Sequence, residues 1–272
     1  MTDAIDLTGV QTTMLATLYL RALDSRSRRP VLGDTVAAEV VDRIAYDFSA
    51  LQRPGVAGNR FPVALRARQL DAWTTGFLQR HPRASVVQLG CGLDSRAFRL
   101  ALPPDVRWID VDHADVIGIH RRLYPEPSWY RTIGASVTDP GWLDEIQAGP
   151  PVLIVAEGLL MYLTEPEIGQ LLGRVVDRFG TGELLSDGLA PWAVRASQRS
   201  SKRVRGDFPR HRTAIRDGRD LERWEPRLTH RETVAVVAQY AEIPDRGHRT
   251  LYRLLSAVPA VRDVMRVFRC TF

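Results

Sequence analysis

The chain has 272 residues, of which 44% are hydrophobic and 25% are charged, and its formal net charge is +5. A chain of this length and composition can bury a large core as one folded unit. No apolar run approaches the roughly 20 residues that a membrane-spanning helix needs. Its two cysteines, Cys91 and Cys270, argue against a disulfide framework or a metal cluster, so no metal site is expected. Residues 1–6 lack the basic start and apolar core of a signal peptide, which predicts a cytoplasmic protein.

Three helices are predicted first. Apolar residues at helical spacing indicate helices at 7–23, from Asp34 or Thr35 onward, and at about 62–80. The Pro- and Gly-containing stretch 53–59 is expected to be a flexible connection. Arg21 lies near the end of the first helix, in a segment that otherwise looks buried. Its charge either complements a helix C-terminus or faces a ligand.

An alternation of strands and helices follows. Thr164 and Glu167 form a capping-box pattern, with Pro166 in the first turn of the helix that they begin. Such an alternation is typical of an α/β protein with a doubly wound sheet and helices on both faces. Strands are predicted at 86–89, 106–111, 130–135, 151–156 and 182–186, and helices after Gly92, at 114–123, around Trp142 and at 164–179. The tail is expected to add a helix and closing strands.

Residues 191–225 interrupt this alternation and are strongly basic. Their positive charges include Arg195, Arg199, Lys202, Arg203, Arg205, Arg210, Arg212, Arg216 and Arg219. A solvated helical surface and a basic lid that attracts an anionic substrate are both open interpretations. Nucleic acid is the least favoured partner, because aromatic residues for base stacking are scarce and no binding motif is present. The predicted organisation is a helical cap at 1–80, a core at 81–190 and 226–272, and a helical lid at 191–225, all in one unit.

The turn Gly90-Cys91-Gly92 follows an apolar strand and precedes a helix. This arrangement favours either a nucleotide-type ligand or a plain strand-to-helix turn, and the third glycine of the dinucleotide fingerprint is absent. Asp110 and Asp112 share a face of the next strand. Asp112, at the carboxyl end, could hold ribose hydroxyls or cap the following helix. Glu157 directly follows a central strand, where a buried carboxylate needs a cationic partner.

These motifs occur together in one known family. The segments Val87–Leu100, Trp108–Asp112 and Ala156–Thr164, with Leu7–Val10, Leu18–Ala22 and Arg66–Asp71 upstream, resemble the leucine carboxyl methyltransferase family, in particular its bacterial polyketide O-methyltransferases. The resemblance implies a class I methyltransferase with a Rossmann-like sheet that uses S-adenosylmethionine and releases S-adenosylhomocysteine.

The resemblance also implies a role for each cofactor-site residue. Ser136 stands where the family commonly has an acidic residue for adenine, so it departs from the pattern. The implied contacts are Arg66 to the methionyl carboxylate, the Gly90 and Gly92 backbone to the cofactor, Asp112 to the ribose, Ser136 and Val137 to adenine, and Glu157 to the methionyl ammonium.

The expected reaction is methylation of a carboxylate or hydroxyl on a small polyketide or aromatic acceptor. Tyr162 and Arg21 are the predicted substrate-binding residues, and the sequence designates no catalytic base. The histidines of the acceptor region are expected at the surface: His211, His230 and His248. Two alternatives stay open, namely a protein C-terminal carboxyl methyltransferase and a cofactor-binding protein that does not methylate, either pericyclase-like or regulatory. A monomer or weak homodimer without nucleic-acid or membrane partners is expected.

Overall fold

A computed structural model describes residues 9–52, 58–147, 151–201 and 210–272. Its sheet has the strand order β3-β2-β1-β4-β5-β7-β6. Strands β1 to β5 are mutually parallel, whereas β7 runs antiparallel to both of its neighbours. The strands are β1 (Ser85–Leu89), β2 (Arg107–Asp112), β3 (Tyr130–Gly134), β4 (Val152–Ala156), β5 (Gly182–Leu189), β6 (Thr229–Ala235) and β7 (Met265–Thr271). The predicted doubly wound α/β fold is confirmed.

Helices precede the sheet and connect its strands. They are α1 (Gly9–Ser25), α2 (Thr35–Arg43), α3 (Arg60–Arg80), α4 (Arg96–Arg99), α5 (Ala114–Leu123), α6 (Glu165–Phe179), α7 (Pro191–Ser201), α8 (Gly218–Trp224), α9 (Arg246–Ser256) and α10 (Pro259–Arg262). Short 3-10 helices lie at Phe48–Gln52, Gly141–Leu143, Leu160–Tyr162 and Val236–Glu242. No helix within the described ranges is long and apolar enough to cross a membrane.

Both faces of the sheet are covered. Val87 of β1 packs in a core with α6, whereas its neighbour Val86 packs in a second core with α3. Ile154 and Leu153 of β4 divide between the two cores in the same way. Because successive strand side chains point to opposite faces, an uninterrupted apolar strand needs helices on both sides. A third core joins α1 and α2 to the start of the β1–α4 connection.

Local signals place several helix ends. The Thr164 hydroxyl accepts a hydrogen bond from the Glu167 amide, and the Glu167 carboxylate accepts one from the Thr164 amide. The predicted capping box of α6 is therefore confirmed, as is the start of α2, where the Asp34 carboxylate caps the Ala37 amide at 2.9 Å. The predicted 3.6-residue periodicity of the first helix matches α1, which ends at Ser25.

Two element predictions are wrong. The helix expected around Trp142 is only the short 3-10 turn Gly141–Leu143, because the amides from Leu143 to Ile146 bond carbonyls three residues earlier rather than four. Strand β5 continues to Leu189, beyond the predicted end at 186, because β7 pairs with it.

The connection predicted at 53–59 falls mostly on 53–57, outside the described residues. The division into cap, core and lid stays a prediction, although α7 and α8 do lie between β5 and β6.

Candidate functional site

Four chain positions meet at the carboxyl edge of the sheet. Strand order β2-β1-β4-β5 puts the ends of these strands side by side. Asp112 ends β2 and Gly90 follows β1. Ala156 of β4 pairs with Ser186 of β5, so Glu157 and Asp187 come next at the same level. Open α/β sheets bind ligands at this edge, where the order of the strands reverses.

The glycine turn after β1 has left-handed backbone at both glycines. Gly90 has φ +63° and Gly92 has φ +54°. A Cβ at Gly90 would lie 3.0 Å from Leu159 Cδ1, closer than side chains normally pack. Both the conformation and the close approach therefore require glycine at position 90.

Asp112 lies against this turn. One oxygen accepts from the Gly92 amide at 2.8 Å and the other from the His113 amide at 2.7 Å. Burial raises the pKa of Asp112, and the two backbone hydrogen bonds oppose the rise. The helix-cap interpretation of Asp112 is wrong, since the N-cap residue of α5 is His113.

Glu157 has the cationic partner that its burial requires. Arg66, from α3, places Nε 2.9 Å from Glu157 Oε1 and Nη1 2.8 Å from Asp187 Oδ2. Arg96 also pairs with Glu157. Burial alone would raise the pKa of Glu157, but Arg66 and Arg96 hold it below its ordinary value.

Asp187 is a site residue that sequence reasoning missed. It is fully buried, and besides Arg66 it accepts the Gly158 amide at 2.6 Å. Burial raises the pKa of Asp187, and the charge of Arg66 compensates only in part. A signal was present, because Asp187 immediately follows the strand predicted at 182–186, just as Glu157 follows the preceding strand.

Asp94 lies at the centre of a second set of arginines. Arg96 Nη1 and Arg21 Nη1 are each 3.1 Å from an Asp94 oxygen, and Arg99 pairs with the same carboxylate. Gln88 Nε2 donates to it at 2.8 Å. Burial opposes ionisation, but the three arginines hold the pKa of Asp94 well below its ordinary range.

Arg96 joins these two sets into one network, called here the buried ion cluster. Its side chain is fully buried and contacts Asp71 at 2.6 Å as well as Asp94 and Glu157. Among the residues that the structure describes, four guanidinium groups meet five carboxylates, which leaves one negative charge in excess. The members are Arg21, Arg66, Arg96, Arg99, Asp34, Asp71, Asp94, Glu157 and Asp187.

Arg21 belongs to this cluster, where it is 4% exposed. It donates to the Leu93 carbonyl at 2.9 Å and pairs with Asp94. Its Nε is 3.6 Å from Asp34 Oδ2. These contacts hold the turn after β1 against α1. The substrate-binding role of Arg21 stays a prediction.

Ser136 and Val137 follow β3, next to the end of β2. The Ala135 amide donates to the Asp112 carbonyl at 2.8 Å, so the segment lies beside Asp112. The half-buried Ser136 hydroxyl bonds the Thr138 hydroxyl at 2.8 Å, and Val137 is buried. Their adenine contacts stay predictions.

Tyr162, in the turn that follows Glu157, forms a ring pair with His211. The Tyr162 ring lies 4.9 Å from the His211 ring at an angle of 30°. Burial raises the pKa of Tyr162, Arg66 lowers it and Asp187 raises it, so the hydroxyl lies in the field of both charges.

The three histidines of the acceptor region differ in their surroundings. All three are half-buried, so each is only partly at the surface. His248 places Nδ1 2.6 Å from Asp245, the N-cap of α9, and its ring lies 4.8 Å from that of Phe61. His230 is bonded to Thr233, and His211 contacts Tyr162. The signal for this contact was absent from the local sequence, since the two residues are 49 positions apart.

Comparison with known proteins identifies the family. The model of the leucine carboxyl methyltransferase family matches residues 14–176. The chain belongs to the leucine carboxyl methyltransferase family. Within it, the chain is similar to the tetracenomycin polyketide synthesis O-methyltransferase TcmP of Streptomyces glaucescens, with 42% identity over 100% of both chains.

Two further relatives are informative. The S-adenosyl-L-methionine-dependent methyltransferase dpfgK of Gibberella zeae is 36% identical over 89% of this chain and 88% of its own length. A crystal structure from Thermobifida fusca, provisionally named a methyltransferase, has a TM-score of 0.57 at 17% identity and covers 92% of this chain and 93% of its own. That likeness shows the fold, which is the class I methyltransferase fold predicted from the sequence.

Proposed function

We propose that the chain transfers a methyl group from S-adenosylmethionine to a carboxylate or hydroxyl oxygen of a small polyketide or aromatic acceptor. The observation that carries this function is the convergence of Arg66, Glu157 and Asp187 beside the glycine turn, at the ligand-binding edge of the sheet. The printed name of the Streptomyces relative supports oxygen as the methylated atom and a polyketide as the acceptor class. That of the Gibberella relative supports the methyl donor.

The charges of the site fit this cofactor. S-adenosylmethionine carries an ammonium, a sulfonium and a carboxylate, and so brings one net positive charge. The buried ion cluster has one negative charge in excess. A net cation is therefore favoured there over a neutral or anionic ligand, because charges interact strongly where water is excluded.

Arg66 and Glu157 can exchange partners to hold the amino acid end. In the structure they pair with each other at 2.9 Å. With cofactor bound, Arg66 would hold the methionyl carboxylate and retain Asp187, while Glu157 would hold the ammonium and retain Arg96. Arg66 would thus exchange one carboxylate partner for another, and Glu157 would exchange a guanidinium for an ammonium. Both charges therefore stay paired.

The other assignments follow the edge of the sheet. Gly90 and Gly92 leave room for close backbone contact, and Asp112 would exchange its Gly92 hydrogen bond for the ribose hydroxyls. Ser136 and Val137 would contact the adenine. Tyr162 and Arg21 are assigned to the acceptor.

When bound, S-adenosylmethionine supplies a methyl group activated on sulfur. The residues of this chain then have to fix the acceptor oxygen in line with that methyl group. Orientation of this kind accounts for up to roughly 7–11 kcal/mol of a barrier. A carboxylate acceptor is already ionised and needs no base, whereas a hydroxyl acceptor needs its proton removed.

Calorimetric titration with S-adenosylmethionine tests the cofactor site. Arg66→Ala is expected to raise the Kd at least about tenfold, because it removes a charged contact. Arg68→Ala is the matched control, since Arg68 is exposed on the same helix and pairs with Glu242. Asp112→Ala and Glu157→Ala are each expected to abolish measurable binding, with far-ultraviolet circular dichroism confirming the fold. Unchanged affinity in both variants would contradict the site.

A labelled-methyl assay separates the remaining functions. Label transferred to small aromatic acids or phenols supports the proposed function, and label on an acidic C-terminal peptide supports the protein methyltransferase alternative. Turnover of an acceptor with S-adenosylhomocysteine in place of the methyl donor would indicate the non-methylating alternative.

The proposed setting is a reducing cytoplasm, with the protein a monomer or weak homodimer that binds neither nucleic acid nor membrane. Both cysteines are buried free thiols, which supports the reducing setting. Arg212, Arg216 and Arg223 each have an acidic neighbour within 4 Å, which supports a solvated surface over a nucleic-acid site. No metal is proposed.

A further inference from the structure

His211 is fixed from two sides at the carboxyl edge of the sheet. On the α7 side, Nδ1 is 2.8 Å from Ser197 Oγ, and Gln198 Nε2 donates to the His211 carbonyl at 2.7 Å. On the other side, the amides of the next two residues donate to the Met161 carbonyl at 2.8 and 3.2 Å. The imidazole is therefore held against the turn that follows Glu157, although residues 191–225 are remote from it in sequence.

Tyr162 connects this imidazole to the proposed cofactor pair. One face of the tyrosine ring packs against His211 at 4.9 Å. The hydroxyl of Tyr162 lies in the fields of Arg66 and Asp187. His211 thus lies one side chain away from the residues assigned to the methionyl group.

The imidazole has one nitrogen anchored. Ser197 bonds Nδ1, and no hydrogen-bond partner for Nε2 is found among the described residues. Burial lowers the pKa of His211, so the ring is neutral at pH 7. A neutral imidazole can either accept a proton or donate a hydrogen bond at its second nitrogen, and the Ser197 hydroxyl suits both tautomers because it donates and accepts.

We infer that His211 is a further acceptor-binding residue, with Nε2 hydrogen-bonded to the oxygen-bearing group that is methylated. This assignment rests on the proposed function and adds to it a residue of the basic segment. Ser197 acts as a positioning residue for the ring, and Tyr162, already assigned to the acceptor, packs against it.

The two acceptor classes use Nε2 differently. With a hydroxyl acceptor, Nε2 accepts the proton as the oxygen forms its bond to the methyl carbon. The carbon–sulfur bond breaks, its electron pair stays on sulfur, and the imidazolium then releases its proton to water. With a carboxylate acceptor no proton is transferred, and Nε2–H donates a hydrogen bond to the carboxylate.

Binding of 2-naphthol and 2-naphthoic acid to the protein saturated with S-adenosylhomocysteine tests the assignment without turnover. Both probes carry the same ring system with a different oxygen group. His211→Ala is expected to raise the Kd of the preferred probe at least about tenfold, since a buried hydrogen bond is lost. His248→Ala is the matched control, because His248 is half-buried as His211 is but is bonded to its own helix cap, and it should change the Kd less than about twofold.

His211→Gln distinguishes the two uses of Nε2 in a labelled-methyl assay. The amide of glutamine can donate a hydrogen bond but cannot take up a proton. With 2-naphthol the variant should lose on the order of 10²-fold or more of the rate. With 2-naphthoic acid it should lose less of the rate than His211→Ala does, because the glutamine amide restores the hydrogen bond. A loss in His211→Ala that His211→Gln restores only for 2-naphthoic acid supports contact between His211 and the acceptor.

Other outcomes overturn the inference. These are an unchanged Kd in His211→Ala, failure of both probes to bind the wild-type protein, and loss of S-adenosylmethionine binding in His211→Ala. The last would indicate a merely structural role. If the wild-type protein itself fails to bind S-adenosylmethionine, the proposed function fails, and calorimetry therefore separates the two results.

Discussion

Arginine has opposite roles in two regions of this molecule. In the buried ion cluster, Arg96 is fully buried and its Nε lies 2.6 Å from Asp71. In the basic segment, Arg216 is 64% exposed and 3.8 Å from Asp220, and Arg223 is 55% exposed. The cluster has an excess of negative charge, so the positive excess of the chain lies outside it. Net charge therefore says little about the site, and burial decides what each guanidinium contributes.

Among the arginines compared here, removal of Arg96 is expected to lower the free energy of unfolding the most. Arg96→Met would leave Asp71, Asp94 and Glu157 without a shared cation in a region that water does not reach. The free energy of unfolding should fall by about 3–5 kcal/mol in chemical denaturation at pH 7. In Arg96→Lys the free energy of unfolding should fall by less, because the charge is kept. It should still fall, because lysine lacks the planar guanidinium group. A loss below about 1 kcal/mol in Arg96→Met would show that the remaining arginines, Arg21, Arg66 and Arg99, are enough to hold the three carboxylates.

Asp110 provides the converse case, a buried carboxyl without an arginine. It accepts from Trp108 Nε1 at 2.8 Å and Tyr130 OH at 2.6 Å. Burial raises its pKa to about 7, against the opposing effect of these hydrogen bonds. His120 Nε2 lies 3.8 Å from Asp110 Oδ2. Burial lowers the pKa of His120 to about 4, so its imidazole is neutral over most of the range between pH 4 and pH 7.

Because its pKa is raised, Asp110 contributes less to the free energy of unfolding as the pH rises. Between about pH 4 and 7 the folded state binds a proton that the unfolded state has lost, so each pH unit costs about 1 kcal/mol of unfolding free energy. Asp110→Asn cannot ionise and should therefore gain stability relative to the wild-type protein from pH 5 to pH 8. Denaturation at both values measures this, and a difference between the two proteins that does not change with pH would contradict the prediction.

The sequence predicted those features that depend on neighbours in the chain. The capping box at Thr164 and the helix at 114–123 are set by local spacing, and both are present. Burial of Glu157 predicted a cation, but not which one, because Arg66 is 91 positions away and Arg96 is 61. The helix around Trp142 was predicted from apolar spacing, which does not distinguish an α-helix from the 3-10 turn found there, where the Ile146 amide bonds the Leu143 carbonyl.

Asp187→Asn should affect binding more than stability. Asp187 has a single arginine partner, Arg66, and the asparagine oxygen can still accept the Gly158 amide. The variant removes the negative excess of the cluster, so we expect the Kd for S-adenosylmethionine to rise about tenfold, which corresponds to roughly 1.4 kcal/mol. Calorimetry measures this, and Asp220→Asn, in the basic segment, is the control. Affinity equal to that of the wild-type protein would show that the charge excess does not select the cofactor.

Arg223→Ala is expected to have the smallest effect. Arg223 lies 3.3 Å from Asp220 and 3.7 Å from Glu165, and its guanidinium carbon is 5.5 Å from the Trp224 ring centroid. Water screens these contacts, and the free side chain regains rotamer freedom when they break, so the change in unfolding free energy should stay within about 0.5 kcal/mol. Salt at about 0.5 M should reduce even this change, because the Debye length is then well below 10 Å. A loss above about 2 kcal/mol in chemical denaturation would mean that exposure does not separate the two arginine populations, and that the basic segment is held by its charges.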